Sequence, residues 1–462
     1  MEFRIERDNI GEKNIPKDRL WGIHTQRALD NFDISGSRTS PLLIRALATV
    51  KKACCLANLE AGYLERKKAD MMLKACDEII RGGHIDEFPL DALQGGAGTS
   101  TNMNMNEVIA NRAIEIGGGV KGEYLLVRPI EDVNMHQSTN DVYPTAVKVA
   151  VLEGLWTLSS SIEVLQGAFQ IKEKEFAGIV KTGRTEMREA VPMTLGAEFS
   201  AFAEAIARDR WRIFNCRERM RQVNIGGTAV GTGLTAPRRY VFLVIDKLRE
   251  LTGAGLTRGE NAVDQTANSD AFVEVAGILR AHASNIIKIC NDIRILSLLG
   301  EISLAKVQGG SSIMPCKVNP VIFECALQGA IKADADIGIV FEAASRSSLQ
   351  INEFMPLLSY GILGALSILE RTSKMLGRHV ENIKADEKIC EKYVADNPLI
   401  ITAFLPHLGY EKVEQLINEF SCSGRKDIKQ FLHEKLGAEK VRDILSPANL
   451  MSLGYRDNGQ SS

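Results

Sequence analysis

Apolar residues recur at helical spacing over long stretches of this chain, and few segments alternate with the period of two that marks a strand. Between Pro41 and about Arg81, Leu42, Ile44, Ala46, Leu47, Val50, Ala53 and Leu56 open a broad stripe that predicts two amphipathic helices. Longer runs follow from Pro144 to about Ala177, Ala197 to about Val223, Ser269 to Leu299, Pro320 to Ala344 and Pro356 to Val380. Helices of thirty residues are about 45 Å long. Elements of that length belong in a bundle. Residues 1 to 40 are polar and turn-rich and read as a connector, whereas beyond residue 385 shorter helical pieces turn at Gly409, Gly424 and Gly437. The pattern predicts an all-α protein with a central long-helix bundle (138–385), a mostly helical N-terminal domain (1–137) and a small C-terminal helical domain (386–462), ending in a polar tail after Gly454.

Four polar strings interrupt the stripes. Gln94 to Glu107 holds Gly95, Gly96, Gly98 and a run of hydroxyls and amides, too polar for core; with no strand before it, it suits a carboxylate better than a phosphate. Asp132 to Thr145 contains Ser138-Thr139-Asn140-Asp141, of which one residue suffices to cap the following helix. The surplus is free for a ligand. His136, at the same helix entry, reads as a structural histidine. Lys181 to Gly196 is a polar loop ahead of another long helix. In the fourth string, Gly309 to Pro320, Ser311, Ser312, Lys317 and Asn319 precede a helix N-terminus, where free N–H groups and the helix dipole favour negative charge. A glycine-rich turn, Gly226 to Gly233, stands apart from these strings.

Charge and cysteine content remove several classes of function. Over 462 residues the formal net charge is −2 with 25% charged residues, so no field of one sign favours a nucleic acid. The N-terminus lacks the apolar core of a signal peptide and no later stretch is an uninterrupted membrane span, which leads to the expectation of a soluble cytoplasmic protein with no membrane partner. Nine cysteines are scattered without CxxC pairs or histidines at metal spacing. Neither a disulfide nor a metal site is expected.

The strings at 15–28, 94–107, 134–145, 181–196 and 309–320 together resemble the aspartase/fumarase superfamily over nearly the whole chain. That resemblance implies a homotetramer whose active sites each draw on three subunits, acting on a small amino acid without a cofactor. It implies Ser311 as the base that takes a proton next to a carboxylate, with backbone N–H groups of its loop holding the alkoxide. Lys317, Asn319 and Thr185 then serve the α-carboxylate or the enolate, Thr99, Ser138 and Thr139 the second carboxylate, and Asn140 the leaving amine; Ser312, in the same loop as the base, binds the substrate. Glu324 matches a family acid that pairs with a histidine after Arg184-Thr185.

Here that histidine is Glu186. The acid–histidine pair of the fumarases is therefore absent, and a carboxylate beside the leaving group favours an amine. The implied reaction is L-aspartate to fumarate and ammonia. Further departures occur at Arg128-Pro129-Ile130-Glu131, at Asn352-Glu353-Phe354-Met355-Pro356 and in the shortened segment before the fourth string. They leave open an amine lyase for a betaine or amino acid with one carboxylate, a fumarate hydratase, or a non-catalytic homologue with a decayed site.

Overall fold

The computed structural model describes residues 2–314 and 316–454; the polar tail after Gly454 and Pro315 of the fourth string lie outside the described residues. The chain opens with an antiparallel hairpin of β1 (Phe3–Arg7) and β2 (Glu12–Pro16), then α1 (Ile23–Asn31), α2 (Pro41–Ala61), α3 (Arg66–Ile80) and α4 (Thr99–Ile116). Next come α5 (Thr139–Glu175), the hairpin β3 (Val180–Thr185) and β4 (Arg188–Thr194), α6 (Leu195–Met220), β5 (Gln222–Val223), α7 (Arg238–Thr252), β6 (Thr257–Arg258), α8 (Ala262–Ala267) and α9 (Asp270–Leu299). After β7 (Ile302–Ser303) follow α10 (Val321–Ala344), α11 (Met355–Val380), β8 (Lys384–Ala385) and α12 (Glu387–Asp396), with short helices to Leu450. The fold is all-α, and the four sheets among the described residues are two-stranded.

Three segments differ from their sequence patterns. Residues 1–40 are no mere connector, since they hold a hairpin and a helix. The string 94–107 is not excluded from the core: Asn102, Asn104, Asn106 and Glu107 are all buried along α4. They hide the helical pattern because the amide nitrogens of the three asparagines and the Glu107 carboxylate meet protein partners rather than water. The third string, expected as a loop, is the β3–β4 hairpin, whose closing pair Thr185 and Arg188 leaves Glu186 and Met187 at the tip. The helix expected from Pro144 begins at Thr139, so Pro144 lies inside it. A proline there leaves the carbonyl four residues back without its helical donor. Asn224 Nδ2 supplies one, 2.9 Å from the Asn140 carbonyl.

By contacts the chain divides into two units, Met1–Ser159 with Trp211–Ala283 and Ile331–Glu370, and Ser160–Arg210 with Ser284–Ala330 and Arg371–Ser462. In the first unit α2 packs on α3 and α7, and α3 packs on α4. In the second, Phe169, Phe176, Phe199 and Phe202 form a ring cluster with centroids 5.1 to 6.3 Å apart, and Ile400, Phe404, Leu416, Phe420, Phe431 and Leu432 centre a core of the C-terminal helices. Large apolar side chains on the long helices face outward, among them Trp156, Trp211, Phe214, Leu298 and Ile331. No helix among the described residues is long and apolar enough to cross a membrane.

One buried carboxyl fastens the entry segment. Glu107 accepts N–H groups from Gly22, His24 and Thr25 at 2.9, 2.8 and 3.1 Å and the Thr25 hydroxyl at 2.6 Å. Burial outweighs these four donors, with buried Glu6 adding repulsion, and Glu107 is pushed up to about 7 from 4.5. The folded state therefore binds the extra proton between pH 4.5 and 7, and this carboxyl's contribution to stability falls as pH rises through that window. Melting curves across the window should show wild type losing Tm relative to Glu107→Gln as pH rises; parallel profiles would refute the assignment.

Candidate active site

The first unit assembles Thr99, Ser138, Thr139 and Asn140. Gly98, at φ +91, lies against the Tyr143 ring, where a Cβ would come within 2.5 Å of carbon; this close approach sets the start of α4 beside the start of α5. Thr99 is exposed at the head of α4, its hydroxyl donating to the Gly96 carbonyl at 2.7 Å. Ser138 caps α5: its Oγ accepts the Asn140 N–H at 3.2 Å, and its own N–H donates to Asp141 Oδ1 at 3.0 Å, a reciprocal capping box. Of the four consecutive polar residues, Asp141 is thus spent on backbone N–H groups, whereas the Ser138 hydroxyl accepts at the helix end and keeps its own proton to donate. Thr139 Oγ1 accepts from Asn102 Nδ2 at 3.2 Å, which joins the first string to the second. Asn140 donates from Nδ2 to the Ala229 carbonyl at 2.7 Å.

Beneath this cluster lies a cation that the helical stripe of α2 conceals. Lys51 is buried, and its ammonium donates to Asn134 Oδ1 and Gln137 Oε1, each at 2.9 Å. Burial pulls its pKa down to about 8. It therefore stays mostly protonated at neutral pH and holds the chain just before Ser138. His136 donates from Nδ1 to Asn58 Oδ1, 2.7 Å away, and stacks edge-on against Tyr63 at 4.9 Å. Those contacts occupy it within the packing.

The second unit carries Thr185, Glu186, Ser311, Ser312, Lys317, Asn319 and Glu324. Ser311 Oγ accepts two backbone N–H groups of its own loop, from Ile313 at 3.2 Å and Met314 at 2.9 Å. Donors aimed at an oxygen favour its ionised form. The loop is closed on itself, because Gly310 N–H donates to the Lys317 carbonyl at 3.0 Å and Asn319 Nδ2 to the Gly310 carbonyl at 2.7 Å. Ser312 and Lys317 are exposed, and no ion pair reaches the Lys317 ammonium among the described residues. Asn319 stands two residues before α10, and Glu324 lies within that helix's first turn, with its N–H on the Pro320 carbonyl.

Thr185 and Glu186 are exposed at the hairpin tip. Glu186 and Met187 take φ of 52° and 60°, the left-handed values that a two-residue hairpin turn asks of glycine or asparagine. Such backbone is costly for other residues and collects at functional sites. The hairpin is anchored by a buried charge cluster that the sequence pattern did not reveal. Glu301, fully buried, accepts from Arg184 Nη1 at 2.6 Å and pairs with Lys181 Nζ at 2.8 Å, while Lys181 also reaches Glu198. Only the density of charge around Arg184 hints at it in the sequence. Among the described residues no hydrogen bond joins this tip to the 309–320 loop, and no group of three or more His, Cys, Asp or Glu could hold a metal ion.

Three comparisons bear on this arrangement. The family model described as Lyase matches residues 11–333. Aspartate ammonia-lyase of Helicobacter pylori is 43% identical over 459 residues, covering 97% of this chain and 98% of that protein. Among solved structures, a fumarate lyase:delta crystallin from Brucella melitensis bound to cobalt superposes with a TM-score of 0.92 at 41% identity, covering 96% of this chain and 99% of that one. A class II fumarase from Schistosoma mansoni gives a TM-score of 0.90 at 29% identity, over 96% and 98% of the two chains.

Proposed function

This chain belongs to the aspartase/fumarase superfamily of lyases, and from that membership we propose that it is a carbon–nitrogen lyase that eliminates ammonia from L-aspartate to give fumarate. The observation that carries the reading is Ser311 Oγ held by the N–H groups of Ile313 and Met314. As an alkoxide it takes a proton from the carbon next to a carboxylate, and the electron pair enters that carboxylate as an enolate. Fixed donors are what such an enolate needs, one of them typically contributing about 3 to 4 kcal/mol. Lys317, Asn319 and Thr185 supply them. When the enolate collapses, the carbon–nitrogen bond on the neighbouring carbon breaks and the amine departs with its electron pair. Thr99, Ser138 and Thr139 hold the second carboxylate, with Ser312 beside the base.

The outward-facing Trp156, Trp211, Phe214, Leu298 and Ile331 support assembly of several chains through the long helices. A homotetramer with sites shared among three subunits accounts for these faces, and light scattering that returned a monomer would reject it.

Glu186 and Asn140 serve the leaving amine. A carboxylate at the tip attracts the substrate ammonium, and at so exposed a position the pair contributes about 1 kcal/mol. Glu186→Gln is therefore expected to raise KM for L-aspartate about fivefold and leave kcat within about twofold. An unchanged KM would remove Glu186 from the amine site. The direct test incubates purified protein with L-aspartate, L-malate and a panel of monocarboxylate amino acids and betaines, following the ultraviolet absorbance of a new conjugated double bond and released amine. Fumarate and ammonia from aspartate support the proposal. Turnover of a betaine alone would mean that the carboxylate of Glu186 has redirected the site.

A further inference from the structure

The glycine-rich turn from Asn224 to Leu234 has no part in the assignments above, yet it grips the residue at the leaving group from two sides. Asn140 Nδ2 donates to the Ala229 carbonyl at 2.7 Å, and the Asn140 carbonyl accepts from Asn224 Nδ2 at 2.9 Å, the bond that Pro144 makes available. We propose that this turn is a positioning device that fixes which end of the Asn140 amide meets the substrate, and so selects a protonated amine as the leaving group. The inference rests on the ammonia-lyase reading and deepens it.

A main-chain carbonyl can only accept, so the amide must present nitrogen to Ala229. Its Oδ1 is left pointing elsewhere, and among the described residues nothing donates to it. An amide oxygen so presented accepts from an ammonium, which carries three donors, and repels a carboxylate, which carries none. With the amide reversed, the NH2 group would face the substrate and attract carboxylates instead. The Ala229 carbonyl decides between the two.

That carbonyl is itself held still. Buried Asp141 accepts from Gly226 N–H and Thr228 N–H through Oδ2, at 3.1 and 3.0 Å. Thr228, at φ +55 and buried, donates from its hydroxyl to the Leu234 carbonyl at 2.7 Å, and Gly233 N–H donates to the Gly227 carbonyl at 2.9 Å. Gly231, at φ +86, passes so close to α8 that a Cβ would stand 2.3 Å from the Ala262 carbonyl oxygen. Asn224 is steadied in turn by Thr145 and Thr266 at 3.3 and 2.9 Å. Residues that touch no substrate thus set the direction of one that does.

The test uses the reverse reaction, in which ammonia and fumarate compete for no common group. Thr228→Val removes the hydroxyl that closes the turn at nearly constant volume. KM for ammonia is expected to rise about tenfold, the effect of losing one charge-assisted hydrogen bond, with KM for fumarate within about twofold, and Thr228→Ser should restore both. Should the valine variant not fold, Ala229→Gly keeps every side-chain bond of the turn while loosening its backbone, and the same split at about threefold is expected. Equal rises in both constants, or none in either, would overturn the proposal. Wild-type protein that aminates no fumarate would instead reject the ammonia-lyase reading itself.

Discussion

Ser311→Ala is expected to lower kcat for L-aspartate by about 10³-fold, within the range by which a positioned base accelerates proton transfer, while KM moves by less than about threefold. On the proposed role of Ser311 the split follows from timing, because a base acts on the proton only as the bond to carbon breaks, and the ground-state complex is held by other groups. Fumarate absorbance in the steady state reads it directly. Ser312 lies in the same loop, but among the described residues its hydroxyl draws no N–H donor comparable to those on Ser311 Oγ. Ser312→Ala disturbs the same loop and removes a proposed substrate contact but not the base, so it should act on KM more than on kcat; a variant of Ser311 with near wild-type kcat would remove Ser311 as the base.

The second large effect concerns folding. Glu301 is fully buried against Lys181 and Arg184, and Glu301→Leu leaves both cations without that partner, at a cost of about 3 to 5 kcal/mol. Lys181 retains Glu198, so Arg184 bears more of the loss. Denaturant midpoints measure it. Because Arg184 adjoins Thr185 and Glu186, the variant should also bind substrate more weakly at temperatures where it remains folded. Adding Lys181→Met should recover part of the loss, since an apolar pair avoids desolvating either charge. A cost under about 1 kcal/mol would show that water reaches the cluster.

The long helices were legible because burial writes itself into sequence as a stripe of period near 3.6. Where polar residues are buried against partners, that record fails. Asn102, Asn106 and Glu107 fill the interior of α4 on the strength of bonds to Thr139, Asn134, Gly22 and Thr25 that no local pattern encodes. Lys51 is the same case within α2, since one lysine at a core position reads like any solvated one until Asn134 and Gln137 are seen beside it. The β3–β4 hairpin escaped for a different reason: its turn is Glu186-Met187, without the Asn-Gly or Asp-Gly pair that advertises such a turn. The residues proposed for the candidate site were picked out one by one, from family resemblance and from their excess over capping needs. Their supports were not, because Asp141, Asn224 and Glu301 act through residues far away in the chain.

That hairpin tip also bears on how such an enzyme changes over generations. Two side chains held in left-handed backbone oppose folding, and glycine at either place would relieve it. Selection for heat tolerance alone would drift toward glycine there, whereas on the role proposed for Glu186 selection on substrate keeps a carboxylate. The tip therefore marks a position at which robustness and discrimination pull in opposite directions, and a lineage that lost its need for this substrate would be expected to abandon Glu186 early while conserving Lys181, Arg184 and Glu301 beneath it.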